Sequence, residues 1–209
     1  MSTDLLTLMQ WMSPGFPVGA FAYSHGLEAM IDQGAVASTD DLRLWLEDVL
    51  ISGGCQADLT LLARAYRGGD LADLDDEARA FAASAERLTE TLDQGAAFAR
   101  TVDAVWHTDV DRRAYPVAVG RAAAHVGLAL QPTAEAYAHA FLSNLIFAAQ
   151  RLMPLGQTDA QHLLNTLNPL VVAAAQGATD DPGPLYSNCI AADIAAMRHE
   201  TQYSKVFRT

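Results

Sequence analysis

Ser24 and His25 stand side by side in a stretch rich in proline and glycine, SPGFPVGAFAYSHGLE (residues 13–28). A serine beside a histidine suggests the nucleophile and base of a hydrolase, and the glycines suggest a phosphate-binding loop. Adjacent residues on a helix point about 100° apart, so a nucleophile–base pair is disfavoured. A phosphate loop needs Lys and a hydroxyl residue after its second glycine, where Ala20 and Phe21 follow Gly19. These residues alone therefore predict a rigid helix connector.

Metal chemistry is the second possibility, because residues 199–203 (HETQY) match the first half of a zinc-binding HExxH motif. Tyr203 stands where the second histidine should be, so the two-imidazole zinc face is missing. Four other histidines lack a second ligand three or four residues away, and we interpret them as core or surface imidazoles: His107, His125, His139 and His162. The consecutive acids of residues 75–77 would fan around a helix, which predicts a solvated acidic face.

Charge and composition limit the classes of partner. The 209 residues carry a formal net charge of −12, from 13 basic and 25 acidic side chains, which disfavours nucleic acid and anionic membrane as partners. Charged residues make up only 18% of the chain, against about 25% in an average globular protein. Two explanations stay open: closely packed alanine-rich helices, or apolar surface reserved for another subunit.

The two cysteines and the first residues bear on the compartment. Cys55 and Cys189 lie far apart and form no CxxC motif, so we expect both to be reduced and the protein to be cytoplasmic. The start of the chain does not resemble a signal peptide, and no apolar run approaches the length of a membrane span.

Apolar residues recur with helical spacing almost throughout, and no stretch alternates in the manner of a strand. The pattern predicts an all-α fold, a single domain over residues 1–209 with roughly nine or ten helices. We expect a short first helix capped by Ser2 or Thr3 and ended by Pro14. A second helix is predicted from Ala20 to Gln33, with a C-terminal cap at Gly34, and a capping box follows at Ser38–Asp41.

The later elements are predicted in the same way. Apolar residues recur with helical spacing over residues 77–107, which predicts a helix there whose weak point is Gly95. Further helices are predicted to begin at Pro116 and Pro132. Asn168-Pro169 predicts a kink or a break. We expect a turn-rich linker over residues 177–184 and a last helix over residues 185–197.

One long segment is almost free of charge. The 65 residues from Ala114 to Ala178 hold only four formally charged side chains: Arg121, Glu135, Arg151 and Asp159. Helices this apolar are buried, either in the core or against another subunit, and a symmetric dimer is the commonest way to bury such a surface. An alternative is an enzyme with an all-α cavity for an apolar substrate, for which the segment offers only Glu135 and Asp159 as acids.

The last twelve residues, 198–209, which we call the tail, differ in charge from the rest of the chain. Three basic residues and one acid give them a formal charge of +2, and Tyr203, Val206 and Phe207 lie between the charges. Either a frayed terminus or a segment that orders on a partner fits this composition.

Four stretches together resemble the UreF family of urease accessory proteins: residues 13–28, YPVAVGRAAAHVGL (115–128), AAQRLMPLGQTDAQHLL (148–164) and RHETQYSKVFRT (198–209). The resemblance implies an all-helical, dimeric protein without known catalytic activity or a cofactor of its own. It implies that the protein bridges UreD (also called UreH) and the GTPase UreG. The resulting assembly would dock on apo-urease and couple GTP hydrolysis to nickel insertion. Nickel, GTP and Mg²⁺ would belong chiefly to those partners.

The resemblance also implies partner-binding residues. In the first motif, residues 13–28, they are Tyr23, Ser24, Gly26 and Glu28. In the tail they are Arg198, His199, Glu200, Tyr203, Lys205, Phe207 and Arg208. Lys205 stands where Arg is expected, which keeps the charge but loses the bidentate fork. Ala22 and His25 also depart from the family pattern. An arginine finger for the GTPase is a further hypothesis, with candidates Arg151, Arg113 and Arg121; a structural arginine is the alternative.

Overall fold

A computed structural model describes residues 3–209, and within that range the chain forms ten α-helices, one 3₁₀ turn and no β-strand. The helices are α1 (Thr3–Trp11), α2 (Leu27–Asp32), α3 (Thr39–Ser52), α4 (Gly54–Tyr66), α5 (Leu71–Ala80), α6 (Ala85–Trp106), α7 (Tyr115–Val126), α8 (Leu130–Leu152), α9 (Gln157–Asp180) and α10 (Ile190–His199). The 3₁₀ turn, Ala20–Ala22, lies between α1 and α2. The predicted all-α class is confirmed.

Helix α7 lies deep in the fold, where it packs against α4 and α6. Its small residues allow very close approach: a Cβ on Gly120 would lie 2.2 Å from the backbone oxygen of Leu62 in α4. Helices α8 and α9 pack side by side and antiparallel, because Gln131 at the start of α8 accepts a hydrogen bond from Thr179 at the end of α9. Most of the apolar side chains of these helices are buried in one continuous core.

The charge-poor segment is largely explained by this core. Residues such as Val117, Ala122 and Leu142 are completely buried within the chain itself. The large apolar side chains that the segment leaves exposed are Phe147 and Val172. Packing within one subunit thus accounts for most of the segment, and a dimer is not needed to bury it.

The first motif differs from its prediction. The expected helix from Ala20 to Gln33 is wrong, because residues 23–26 are not helical and α2 begins only at Leu27. Left-handed backbone at His25 (φ 56°) and Gly26 (φ 81°) separates the 3₁₀ turn from α2. The backbone N–H of Ser24 instead donates to Thr209, 185 residues away.

Two predictions about the middle of the chain are also wrong. The break in the 77–107 pattern falls at residues 81–84, and Gly95 lies inside the unbroken helix α6. Glycine is required there for space, because a Cβ would lie 1.9 Å from the backbone oxygen of Arg113. Residues 75–77 are not uniformly solvated: Asp75 is buried, pairs with Arg79 at 2.8 Å and accepts a hydrogen bond from the N–H of Ala114 at 2.6 Å.

Near the C-terminus, the end of α9 and the start of α10 also differ from the predicted positions. Helix α9 continues across Pro169 to Asp180, so the predicted break at Asn168-Pro169 is not present and the non-helical stretch is 181–189. Helix α10 begins at Ile190 rather than Leu185, and in the non-helical stretch before it the N–H of Asn188 donates to the carbonyl of Ser52 in α3.

Local end signals were predicted correctly. Ser38 and Asp41 form the expected capping box, and Gly34 ends α2 with a positive φ. At α1, Thr3 is the first helical residue and therefore not the cap; the alternative cap, Ser2, lies outside the described residues.

Over residues 3–209, no helix combines the length and the apolar character that crossing a bilayer would require.

Candidate functional site

The tail folds back over the first motif. The N–H of Arg208 donates to the carbonyl of Ala22 at 2.8 Å, and Ser24 contacts Thr209 through both its backbone N–H and its hydroxyl. Phe207 is buried against the body of the protein. The tail is therefore ordered on its own chain, and two of the four stretches that carry the resemblance, residues 13–28 and 198–209, form one structure.

Glu28, on α2, is the main anchor for the tail backbone. Its carboxylate accepts hydrogen bonds from the N–H groups of Val206 at 2.7 Å and Phe207 at 2.9 Å. The residue is only 5% exposed. A buried carboxylate is tolerated where donors satisfy its oxygens, so these two bonds tie the tail to α2.

His199 extends this anchor into a chain of ionisable groups. Its Nε2 lies 3.2 Å from Glu28, and its Nδ1 lies 2.7 Å from Glu86 on α6. The other oxygen of Glu86 accepts a hydrogen bond from the ammonium of Lys205 at 2.7 Å. We call Glu28, His199, Glu86 and Lys205 the charge chain; it joins α2, α10, α6 and the tail.

Gly26 brings α10 directly onto the first motif. A Cβ at this position would lie 2.7 Å from the backbone nitrogen of Ala196 and 3.1 Å from the backbone oxygen of Ala192. Glycine is required both for this close approach and for the left-handed backbone.

Two aromatic contacts complete the attachment. Tyr23 is buried, which raises the pKa of its hydroxyl, and a hydrogen bond with the side chain of Arg208 partly opposes that rise. The guanidinium of Arg151 lies over the ring of Phe207, 4.7 Å from its centroid. One candidate arginine finger thus has a structural contact with the tail.

The residues implied by the resemblance fall into two groups. Six are buried and hold the tail in place: Tyr23, Ser24, Gly26, Glu28, His199 and Phe207. Five have exposed positions: Arg198, Glu200, Tyr203, Lys205 and Arg208. Tyr203 is completely exposed, whereas Glu200 accepts a hydrogen bond from the N–H of Ala85 at the start of α6.

Sequence reasoning missed the outer face of α10. Ile190, Ile194 and Met197 are 68%, 41% and 52% exposed, while the alanines of the opposite face are buried. Their spacing of i, i+4 and i+7 was the available signal. Together with Tyr203 and Val206 of the tail, they form a set of exposed apolar side chains that we call the apolar tail face.

A second buried polar cluster lies beneath the first motif, around a cavity of about 60 Å³ lined by His25, Asp58, Arg87, Glu90 and Tyr137, among others. Arg87 pairs with Glu90, whose other oxygen lies 2.8 Å from His25 Nε2. The hydroxyl of Tyr137 donates to Asp58 at 2.8 Å. The side chains of Ser24 and His25 thus have different partners, Thr209 and Glu90, and do not form a nucleophile–base pair.

Charges in this cavity shift pKa values in opposite directions. Burial raises the pKa of Asp58 from 3.8 to about 6, against the opposing effects of Arg87 and Tyr137. Burial also acts to raise the pKa of Glu90, but Arg87 and His25 outweigh it and lower the value from 4.5 to about 2. Burial and the nearby Arg87 lower the pKa of His25, which favours its neutral form.

Other candidate groups are dispersed. Among residues 3–209, no three His, Cys, Asp or Glu side chains are arranged to hold a metal ion. Glu135 lies near the start of α8 beside the end of α9, whereas Asp159 is in the first turn of α9, at the opposite end of the antiparallel pair. Cys55 and Cys189 are buried and unpaired.

The fold and this surface define an all-helical protein with an exposed apolar face of the kind that protein partners cover. The family model for UreF matches residues 36–168. The urease accessory protein UreF of Roseobacter denitrificans is 56% identical over 213 residues, covering 100% of this chain and 96% of that protein. The UreF of Ruegeria sp. (strain TM1040) is 54% identical over 215 residues, and that of Cereibacter sphaeroides (strain ATCC 17029) is 49% identical over 210 residues. All of this chain is covered in both, with 99% and 100% of those proteins.

The chain therefore belongs to the UreF family of urease accessory proteins. The matches to these relatives extend over the first motif and the tail as well as over the helical core.

Proposed function

We propose that this chain is a non-catalytic scaffold in the nickel-dependent maturation of urease. It binds UreD (UreH) and the GTPase UreG, forms a homodimer, and couples GTP hydrolysis to nickel insertion into apo-urease in the cytoplasm. Nickel, GTP and Mg²⁺ are held by the partners. Family membership and the accessory role in the names of the relatives support this proposal.

The observation that carries the proposal is the apolar tail face. A tail held by buried hydrogen bonds to Glu28 nevertheless leaves Tyr203 completely exposed and Val206 54% exposed. Burial of an apolar surface of this kind contributes about 25 cal/mol per Å² to association. Ordered apolar side chains beside basic groups are suited to an apolar partner surface with an acidic rim, and we propose that UreD supplies it.

The alternative enzyme function lacks an equivalent observation. The two acids of the charge-poor segment, Glu135 and Asp159, lie at opposite ends of the α8–α9 pair, so they do not converge on one substrate. In the buried cluster, Asp58 accepts a hydrogen bond from Tyr137, and Glu90 pairs with Arg87 and His25.

The test is whether the complex assembles when its components are produced together. The chain is co-expressed with UreD and UreG, and the complexes are separated by size exclusion with light scattering, which also reports whether the chain is dimeric. The double variant Met197→Ser and Tyr203→Ser is expected to fold normally, because both side chains are exposed, and to lose UreD from the complex.

The matched control is Leu44→Ser on α3, which removes an apolar side chain that is as exposed as that of Met197. The control should keep the complete complex. If the double variant retains UreD as well as the control does, the tail is not the UreD-binding surface.

A further inference from the structure

The buried position of His199 constrains where protons lie in the charge chain. Its imidazole is completely buried, and each ring nitrogen faces a carboxylate oxygen: Nδ1 faces Glu86 and Nε2 faces Glu28. An ionised carboxylate only accepts hydrogen bonds, and a neutral imidazole has only one N–H donor. With both carboxylates ionised, both contacts are satisfied only if the ring carries two protons.

Both carboxylates already accept other hydrogen bonds. Glu28 accepts two backbone N–H groups, one on each oxygen, from Val206 and Phe207, and an ionised carboxylate is an acceptor only. Glu86 already accepts from the ammonium of Lys205. Moving the proton from the ring to either carboxyl group would weaken these bonds.

We propose that His199 is a positively charged positioning residue, an imidazolium that holds α2 and α6 to the tail and thereby fixes the apolar tail face. The formal charges of Glu28, His199, Glu86 and Lys205 alternate in sign and sum to zero. Without the second ring proton, the buried chain would carry a net charge of −1, and an uncompensated buried charge is strongly destabilising.

Neighbouring charged residues do not replace this charge. Arg198 donates to Gln33, and Glu200 accepts from the backbone of Ala85. The charged side chains around His199 are thus Glu28 from α2 and Glu86 from α6, which contact its ring, and Lys205 from the tail, which contacts Glu86. On this proposal, His199 and Glu28 affect the apolar tail face only through the position of the tail, because both side chains are buried.

The proton assignment is tested on the unmodified protein. Two-bond ¹H–¹⁵N correlation spectra at pH 7.5 report the state of each ring nitrogen, with His199→Gln identifying the signal. We expect both nitrogens of His199 to show protonated shifts. A bare nitrogen at either position would overturn the proposal.

The role of the charge is tested by a double-variant cycle, read from hydrogen exchange of the Val206 and Phe207 amides. His199→Gln should speed exchange by about tenfold or more, because two carboxylates lose the cation between them. In the double variant His199→Gln and Glu86→Gln, only Glu28 and Lys205 of the charge chain remain charged, so its formal charge returns to zero. Exchange of the two amides should therefore become slower than in His199→Gln alone.

A purely packing role for His199 would not produce this rescue: a double variant that exchanges as fast as His199→Gln, or faster, contradicts the proposal. His162→Gln, at an exposed histidine of α9, serves as the control and should leave both amides unchanged.

The consequence for partner binding rests on the proposed function. The role of His199 and the assignment of the tail as the UreD surface can each be contradicted by a different result. If the spectra and the cycle show a charged His199 but His199→Gln still binds UreD normally, the tail is not the UreD surface, and the proposed role of His199 stands. If the ring is neutral, the proposed role of His199 is wrong, whether or not UreD binds.

Discussion

At the scale of single residues, burial and neighbouring charge act against each other within one small cavity. Asp58 accepts a hydrogen bond from Tyr137, but burial dominates and raises its pKa to about 6. Glu90 contacts Arg87 and His25, so charge dominates and its pKa falls to about 2. Two acids that line the same cavity should therefore affect stability in opposite directions.

Asp58→Asn is expected to stabilise the protein at neutral pH. Because the folded state raises the pKa of Asp58 from 3.8 to about 6, ionisation opposes folding, and stability falls as pH rises through that window. A pKa difference of about 2 corresponds to about 3 kcal/mol. Urea unfolding at pH 7.5 should show a gain of up to this size, which shrinks below pH 6 and disappears near pH 4.

Glu90→Gln should change the stability of the protein in the opposite direction to Asp58→Asn. Its lowered pKa means that the carboxylate stabilises the fold above pH 4.5 and loses this effect as pH falls towards 2. We expect Glu90→Gln to destabilise the protein at pH 7.5. Equal effects of the two substitutions, or an Asp58→Asn curve parallel to that of the wild type, would contradict this assignment.

Arg151 provides a test of the arginine-finger hypothesis. Its guanidinium lies over Phe207, so Arg151→Ala should lower the free energy of unfolding by about 0.5–1 kcal/mol. GTP turnover by UreG in the complex should stay at the wild-type rate. Arg100→Ala, at an exposed arginine of α6 that is not one of the three candidates, is the control. A selective fall in turnover with Arg151→Ala would show that Arg151 acts on the GTPase.

At the scale of elements, local signals predicted most helices and their caps. The capping box at Ser38–Asp41 and the glycine at Gly34 depend on residues a few positions apart, so their pattern is visible in the sequence. The conformation of residues 23–26 depends on hydrogen bonds from Ser24 and His25 to Thr209, more than 180 residues away. No local pattern contains that pairing, so helical spacing extended α2 too far towards the N-terminus.

Gly26→Ala should separate backbone strain from helix packing. Gly26 and Gly34 both have positive φ, so an alanine costs about 1–2 kcal/mol at either position. A Cβ on Gly26 also meets α10 at 2.7 Å, whereas a Cβ on Gly34 meets nothing within 4 Å. Overpacking should add about 1–3 kcal/mol to the effect of Gly26→Ala.

Chemical denaturation of Gly26→Ala and Gly34→Ala measures the difference directly. Equal losses of stability for the two variants would mean that α10 does not rest on Gly26.

At the scale of the whole molecule, the resemblance pointed to two segments that the structure brings together, but it did not separate their buried residues from their exposed ones. The resemblance implied one list of partner-binding residues, and the structure separates it into residues that hold the tail, such as Glu28 and His199, and residues that it exposes, such as Tyr203. That division depends on burial, which tertiary packing determines. The outer apolar face of α10 was visible as a helical stripe, yet its exposure also depended on the position of α2 and α6.

The central claim is that an internally anchored tail presents its apolar face to UreD. Hydrogen–deuterium exchange of the chain, alone and with purified UreD, tests it most directly. We predict that UreD slows exchange across residues 190–206, while the core helices α4 and α7 keep their exchange rates. Unchanged exchange over residues 190–206 in a demonstrated complex, with protection confined to another surface, would contradict the claim.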